Sequence, residues 1–140
     1  MTSIVVAGGI IWQDDHLLAA LRPQGKPMAG YWEFPGGKRE AGETMEQCVV
    51  RECQEELGIV IRPKGLYAQE HYTYGTEPFS FAFFNAEIAE GEPENHVHRA
   101  MKWVRPAELL SEPFCPADEG IVRRLAKEGA LLQAVHHVAI

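Results

Sequence analysis

Three glutamates, Glu52, Glu55 and Glu56, stand at spacings of three and four residues. On a helix that spacing places all three on one face within about one turn. Like charges so close repel, by about 0.2–0.5 kcal/mol per pair on an exposed helix and by more when part-buried. A solvated acidic face is the ordinary reading of such a run. The other is a site for a hard divalent cation, because Mg²⁺ favours oxygen ligands and bridges carboxylates to substrate phosphates. At about 100° per residue, Glu56 falls on the side of Met45 and Val49, so the acidic ridge borders the core-facing stripe and lines a cleft. Arg51 reaches Glu55 one turn on and is placed to orient or screen the carboxylates. Glu43 precedes the helix, where its charge suits the dipole. Gly36 and Gly37 let the backbone turn and approach the helix, so a bare carbonyl there is available as a further oxygen ligand.

These residues need elements to hold them. Thr44 with Gln47 forms a capping box and Gly58 a natural stop, which predicts a helix over Met45–Leu57 with an apolar stripe of Met45, Val49, Cys53 and Leu57. Upstream, residues 4–12 are rich in β-branched side chains, Gln13-Asp14-Asp15 turns, and residues 16–21 return. Residues 22–30 hold two prolines and two glycines and read as a loop. Residues 31–34 are a short extended piece, stopped by Pro35-Gly36-Gly37. Strands follow near residues 64–74 and 79–88, then an acidic loop over 90–98 and a short strand over 101–104. Residues 106–110 read as a helical turn and 116–128 as a longer helix opened by proline. The apolar tail, 130–140, carries two histidines and receives no assignment. Strands and helices mix without strict βαβ alternation, so the expectation is one α+β domain over residues 1–140, a mixed sheet flanked by helices.

Composition excludes several classes. A chain of 140 residues suits one domain, and 46% hydrophobic with 24% charged residues suits a globular protein. Thirteen basic against 20 acidic residues give a net charge of −7, which argues against gripping duplex nucleic acid through its phosphates. Cys48, Cys53 and Cys115 lack CxxC spacing, so neither a disulfide framework nor a zinc knuckle is suggested and a reduced, cytoplasmic setting is expected. The first residues lack a basic region and soon meet Asp14 and Asp15, unlike a signal peptide. No apolar run approaches the roughly 18 residues of a membrane span.

Residues 37–59 resemble the signature box of the Nudix hydrolases: Gly37, Glu43, Arg51-Glu52-Cys53, Glu55-Glu56 and Gly58-Ile59 stand at the family's spacing. Cys53 is the one mild departure, a thiol in a slot that usually holds an aliphatic side chain. The segment from Trp32 to Lys38 resembles the entry of MutT-type members, and further likeness extends the match over roughly residues 3–128. The resemblance implies an αβα sandwich around a mixed sheet, the Nudix fold. It also implies hydrolysis of a nucleoside diphosphate linked to a group X, with Mg²⁺ or Mn²⁺ as cofactor. By the same resemblance Glu52, Glu55 and Glu56 are metal ligands with the Gly36 carbonyl as another, and Glu52, Glu55 and Arg51 form the catalytic set. Glu52 positions or deprotonates the attacking water, and Arg51 orients the carboxylates. Lys38 and Arg22 are candidates for phosphate contact, or ordinary surface charges.

Two positions depart from the MutT pattern. The loop glutamate expected before Trp103 falls near Val97, which cannot ligate, and Glu94 is the preferred substitute; Glu92, His96 and His98 lie nearby as residues of a polar loop. Where relatives carry a base-reading asparagine after Pro-Ala, this chain has Asp118, which as an ionised carboxylate only accepts hydrogen bonds. Asp118 is equally placed to cap the following helix. Phe34, with Tyr31 and Phe79, stacks on a base or belongs to the core.

The leading expectation is a (deoxy)nucleoside triphosphate pyrophosphohydrolase, acting on ordinary, oxidised or methylated nucleotides and releasing a monophosphate and pyrophosphate. Alternatives are a nucleotide-sugar or dinucleotide polyphosphate pyrophosphatase, and a Nudix-like domain that binds without turnover. The expected partner is a nucleotide, with no duplex nucleic acid and no membrane, and the chain is a monomer or a homodimer to which the apolar tail contributes.

Overall fold

The computed structural model describes the backbone of residues 3–138 and the side chains up to Gly129. The β-branched opening forms β1 (Ile4–Gln13), and a tight turn with Asp14 at φ 57° returns it into β2 (His16–Leu21). The register is Trp12 opposite Leu17 and Gln13 opposite His16. Two very short strands follow, β3 (Trp32–Glu33) and β4 (Gly36–Lys38), then α1 (Met45–Leu57). A long hairpin of β5 (Val60–Tyr74) and β6 (Glu77–Glu90) comes next, then β7 (Ala100–Val104) and α2 (Glu119–Val138). The strand order is β3-β2-β1-β6-β5, with β4 also pairing with β1 and β7 with β2. Strands β1 and β6 run parallel while the other pairs are antiparallel, so the sheet is mixed.

Side chains alternate across this sheet, which creates two cores. Ala7 and Ile11 of β1, with Ala82, Phe84 and Ala86 of β6, pack against Val49, Cys53 and Leu57 of α1. Ile10 and Phe83 face the opposite way, toward Ile121, Val122 and Leu125 of α2. The result is the expected α+β architecture, an αβα sandwich around a mixed sheet. Among the described residues no helix is long and apolar enough to cross a membrane.

The expected α1 matches end to end. Thr44 accepts from the Gln47 N–H, the Gln47 side chain accepts from the Thr44 N–H, and Gly58 closes the helix at φ 67°. Other boundaries differ for identifiable reasons. Pro35-Gly36-Gly37 does not end the extended chain; Gly36–Lys38 pairs with Val6–Gly8 of β1 as β4. Glycine makes this possible, because a Cβ at Gly36 would lie 2.0 Å from the Ala7 carbonyl oxygen. Strand β5 begins at Val60 and tolerates Pro63, because β5 is an edge strand and a register shift falls between Pro63 and Gly65. Pro116–Asp118 is a separate 3₁₀ turn, and α2 proper starts at Glu119 and runs past Gly129. The backbone of the tail is helical to Val138; its side chains, and with them any dimer contact, lie outside the described residues, as do residues 139 and 140.

Leu57 is fully buried under α1, whereas Leu66 on the edge strand is 52% exposed. Leu57→Ala should therefore lower stability by about 2–5 kcal/mol. Leu66→Ala should stay within about 0.5 kcal/mol of the parent, both read from urea midpoints at unchanged slope.

Candidate active site

The box carboxylates do not share one environment. Side-chain exposure is 17% for Glu52 and 14% for Glu56, but 59% for Glu55, so two acids face the cleft edge and the third faces outward. Arg51 is the hub that holds them. Its Nε donates to Glu43 Oε2 at 2.6 Å and its Nη2 to Glu43 Oε1 at 3.0 Å, a two-pronged grip. Its Nη1 donates to Glu52 at 2.9 Å and to Glu55 at 3.2 Å, and Nη2 also reaches the Lys38 carbonyl at 3.1 Å. The Arg51 hydrogen bonds hold the Glu43 carboxyl down to about 2, and the same partners raise the guanidinium above its ordinary value. Arg51 thus touches Glu43, Glu52 and Glu55, and its strongest grip is on Glu43 rather than on Glu55 one turn on.

Glu56 lies deeper. Its Oε1 accepts from the Gly36 N–H at 3.0 Å and its Oε2 stands 3.9 Å from His98 Nε2. Burial pushes its carboxyl up to about 7; His98 opposes the rise, and the Glu33 and Glu52 charges add to it. Beneath Glu52 lies Gly37, where a Cβ would sit 2.4 Å from the carboxylate carbon. The Cys48 thiol donates to the Gly37 carbonyl at 3.4 Å, fastening the strand to α1.

This donor set fits a hard divalent cation. It consists of crowded carboxylate oxygens, two of them at the cleft edge, and the bare Gly37 lets the Glu52 carboxylate lie directly over the β4 backbone. Among the described residues no three acidic, imidazole or thiol groups already converge on one point. A Mg²⁺ that retains waters and takes its remaining oxygens from phosphate does not require a finished cage.

Across the β4 turn, on the α2 side of the sheet, opens a cavity of about 580 Å³. Gly36, Gly37 and Lys38 form the wall that it shares with the carboxylate ridge. Its floor is aromatic: Phe79 and Phe81 stack at 5.8 Å and Phe81 and Phe83 at 5.9 Å. Phe34 is 4% exposed and packs edge-on to Phe83 at 6.0 Å, so it belongs to the core while walling the cavity. Tyr31, grouped with it from sequence, is instead an exposed residue, 40% accessible. Arg22 also lines the cavity, but its guanidinium is already engaged by Glu33 Oε1 at 2.8 Å and the Pro27 carbonyl at 2.6 Å.

Asp118 is on the cavity wall and buried, accepting from the Phe34 N–H at 3.4 Å across 84 residues of chain. Burial holds its carboxyl well above the usual range, with the Glu33 charge adding to the rise. The one hydrogen bond it makes among the described residues is as an acceptor; a carboxyl that keeps its proton would also donate, as an amide does. Its hydrogen bond runs to the Phe34 segment and not along the helix that it precedes.

The loop before β7 lies against the end of α1. Glu94 is 76% exposed and pairs with His96 at 3.2 Å. The Glu94 and His96 N–H groups donate to the Leu57 and Glu56 carbonyls, and His96 Nδ1 faces the Glu55 carbonyl, so this stretch closes the C-terminal end of α1. The residue that enters the site is His98, whose side chain is 2% exposed and stands 3.0 Å from Glu33 Oε2. The sequence marks His98 only as one of several polar-loop residues and Glu33 only as part of the Trp32–Lys38 segment. A single acid in a two-residue strand and one histidine in a polar loop have no periodicity to mark them.

The NUDIX domain matches residues 2–125 of the chain. The chain belongs to the Nudix family. It is 37% identical over 126 residues to the 8-oxo-dGTP diphosphatase of Haemophilus influenzae, covering 89% of this chain and 93% of that protein. It is 36% identical over 118 residues to the CTP pyrophosphohydrolase of Escherichia coli, covering 84% and 87%. The solution structure of the E. coli ORF135 protein superposes with a TM-score of 0.77 at 34% identity, covering 88% of each chain. A MutT protein from Methanosarcina mazei shares the fold with a TM-score of 0.81 at 22% identity, covering 90% of this chain and 94% of that one. This Nudix chain is accordingly an enzyme of the pyrophosphohydrolase kind, a hydrolase acting on acid anhydrides.

A methyl group at position 37 must displace the Glu52 carboxylate. Gly37→Ala should therefore weaken Mn²⁺ binding by roughly tenfold or more. Calorimetric titration without nucleotide checks this, with circular dichroism to confirm the fold.

Proposed function

We propose that this Nudix enzyme hydrolyses a (deoxy)nucleoside triphosphate to the monophosphate and pyrophosphate, with Mg²⁺ or Mn²⁺ as cofactor. The observation that carries the reading is the shared wall. The same three residues, Gly36–Lys38, separate an aromatic cavity with a buried hydrogen-bonding carboxyl from a ridge of cation-binding carboxylates. A base in the first and a phosphate chain over the second would be joined across a single β-strand of three residues.

Glu52, Glu55 and Glu56, with the Gly36 carbonyl, are assigned to hold the cation. When bound, the cation supplies charge neutralisation at the phosphate oxygens and acidifies water. Glu52 is assigned to position or deprotonate the water that attacks phosphorus in line, and Arg51 fixes its carboxylate for that task. Lys38, at the junction of ridge and cavity, is assigned to the phosphates. Arg22 is tied to Glu33 and is assigned to the cavity side instead. Glu94, exposed and turned to His96, serves as a cation ligand only if the loop rearranges when nucleotide binds. A neutral Asp118 meets a base edge that offers an N–H beside an acceptor, and the aromatic floor receives the base's faces. The names of the relatives, 8-oxo-dGTP diphosphatase and CTP pyrophosphohydrolase, accord with an oxidised purine or a cytosine as that base. The function resides in one domain spanning the chain, and three buried free thiols suit a reducing, cytoplasmic setting.

Pyrophosphate rather than orthophosphate should be released from one or a few members of a triphosphate panel. Turnover of nucleotide sugars or dinucleotides alone would replace this reading. Glu52→Gln should lower kcat by roughly 10²–10⁴-fold without shifting the melting temperature; an unchanged kcat would remove Glu52 from the chemistry. With Asp118 read as a donor–acceptor pair, Asp118→Asn should keep kcat/KM within about tenfold of the parent while Asp118→Ala loses more. Equal losses from both would show that the carboxyl is not read as a donor–acceptor pair.

A further inference from the structure

Glu33 lines the cavity and divides its two oxygens between two elements. Oε1 accepts from Arg22 Nη1 at 2.8 Å, and Oε2 faces His98 Nε2 at 3.0 Å. The same His98 nitrogen stands 3.9 Å from Glu56 Oε2. One imidazole nitrogen carries at most one proton, so Nε2–H serves one of these carboxylates at a time, and the distances place it on Glu33. The other ring nitrogen is held by nothing: His98 Nδ1 is buried without a hydrogen-bond partner. The His98 backbone, by contrast, is anchored, its N–H donating to Asn95 Oδ1 at 2.8 Å. The loop that carries it is pinned to the end of α1 by the Glu94 and His96 N–H groups. The ring is therefore tethered from one side only, between a carboxylate of the cavity and a carboxylate of the ridge.

We propose that His98 is a positioning residue that couples occupancy of the cavity to the setting of Glu56, so that base selection is expressed in turnover as well as in binding. A bound base that engages Glu33, or draws Arg22 away from it, changes what Glu33 takes from His98. The Nε2–H then shifts between the two carboxylates, and the Glu56 carboxylate, held otherwise by the Gly36 N–H, is re-aimed. Coupling of this kind needs an element with two arrangements that both sites bias, and a single donor between two acceptors is such an element. The inference rests on the nucleotide reading of the cavity.

The test compares kcat and KM for a preferred and a poor triphosphate in the parent, His98→Leu and His98→Gln, together with Mn²⁺ affinity measured without nucleotide. Leucine removes the donor, while glutamine returns an amide N–H near the Nε2 position. His98→Leu should reduce the kcat ratio of preferred over poor substrate by about tenfold or more, with KM altered less than about threefold. It should also change the Mn²⁺ dissociation constant by at least about threefold, and His98→Gln should restore most of both effects. Equal scaling of kcat for the two substrates, an effect confined to KM, or an unmoved Mn²⁺ affinity overturns the coupling while leaving the nucleotide reading in place. A parent protein that turns over no triphosphate overturns that reading itself, and the coupling with it.

Discussion

The site depends on one close approach, that of the β4 backbone to β1 at Gly36. No side chain fits between Gly36 and the Ala7 carbonyl, so the two strands meet backbone to backbone. That contact sets the height of a three-residue strand wedged between helix α1 and the cavity. Each neighbour then finds its partner on β4. Glu56 takes the Gly36 N–H, Cys48 donates to the Gly37 carbonyl, Glu52 lies over the bare Gly37, and Arg51 reaches the Lys38 carbonyl. A strand displaced by the width of a methyl group would lose all four together. The acidic ridge and the aromatic cavity are thus not two sites that happen to adjoin; they are the two faces of one wall.

Charge balance is the second constraint. Four glutamates, Glu40, Glu43, Glu52 and Glu55, lie within 4 Å of the single guanidinium of Arg51, at 3.6, 2.6, 2.9 and 3.2 Å. One positive charge does not neutralise four negative ones, and Glu56 lies beyond its reach with only His98 and a peptide N–H for company. The molecule tolerates this imbalance where a purely structural helix would have replaced the acids. Crowded carboxylates at a cleft edge suit a hard divalent cation, and at Glu56 burial, with the Glu33 and Glu52 charges adding to it, raises the carboxyl.

Much of this arrangement is legible in the sequence because it is local. The capping box, the αL glycine and the spacing of the acids all lie within the α1 segment, and periodicity resolves them. The sheet's outer hairpin is visible for the same reason, apart from its ends, where Pro63 reads as a break although an edge strand accommodates it. What the sequence conceals is long-range. Asp118 meets the Phe34 N–H across 84 residues, and the burial that raises its pKa is created by elements that no local pattern reports. His98 and Glu33 come together over 65 residues. Gly36-Gly37 after a proline looks like a stop because the sequence shows the missing side chains and not the strand they admit.

The outer strand has a bearing on how the protein behaves in a crowded solution. Strand β5, 15 residues long, is the outer strand of the sheet, and among the described residues no further strand pairs with it beyond β6, the kind of border on which foreign chains polymerise. Yet its register slips at three places, Pro63 offers no N–H, and Arg62 and Lys64 crowd their charges onto Glu87 beside it. A border so broken gives an incoming strand no straight run of donors and acceptors to zip against. The same irregularities that blur the strand's start in the sequence leave this edge a poor template for a further strand.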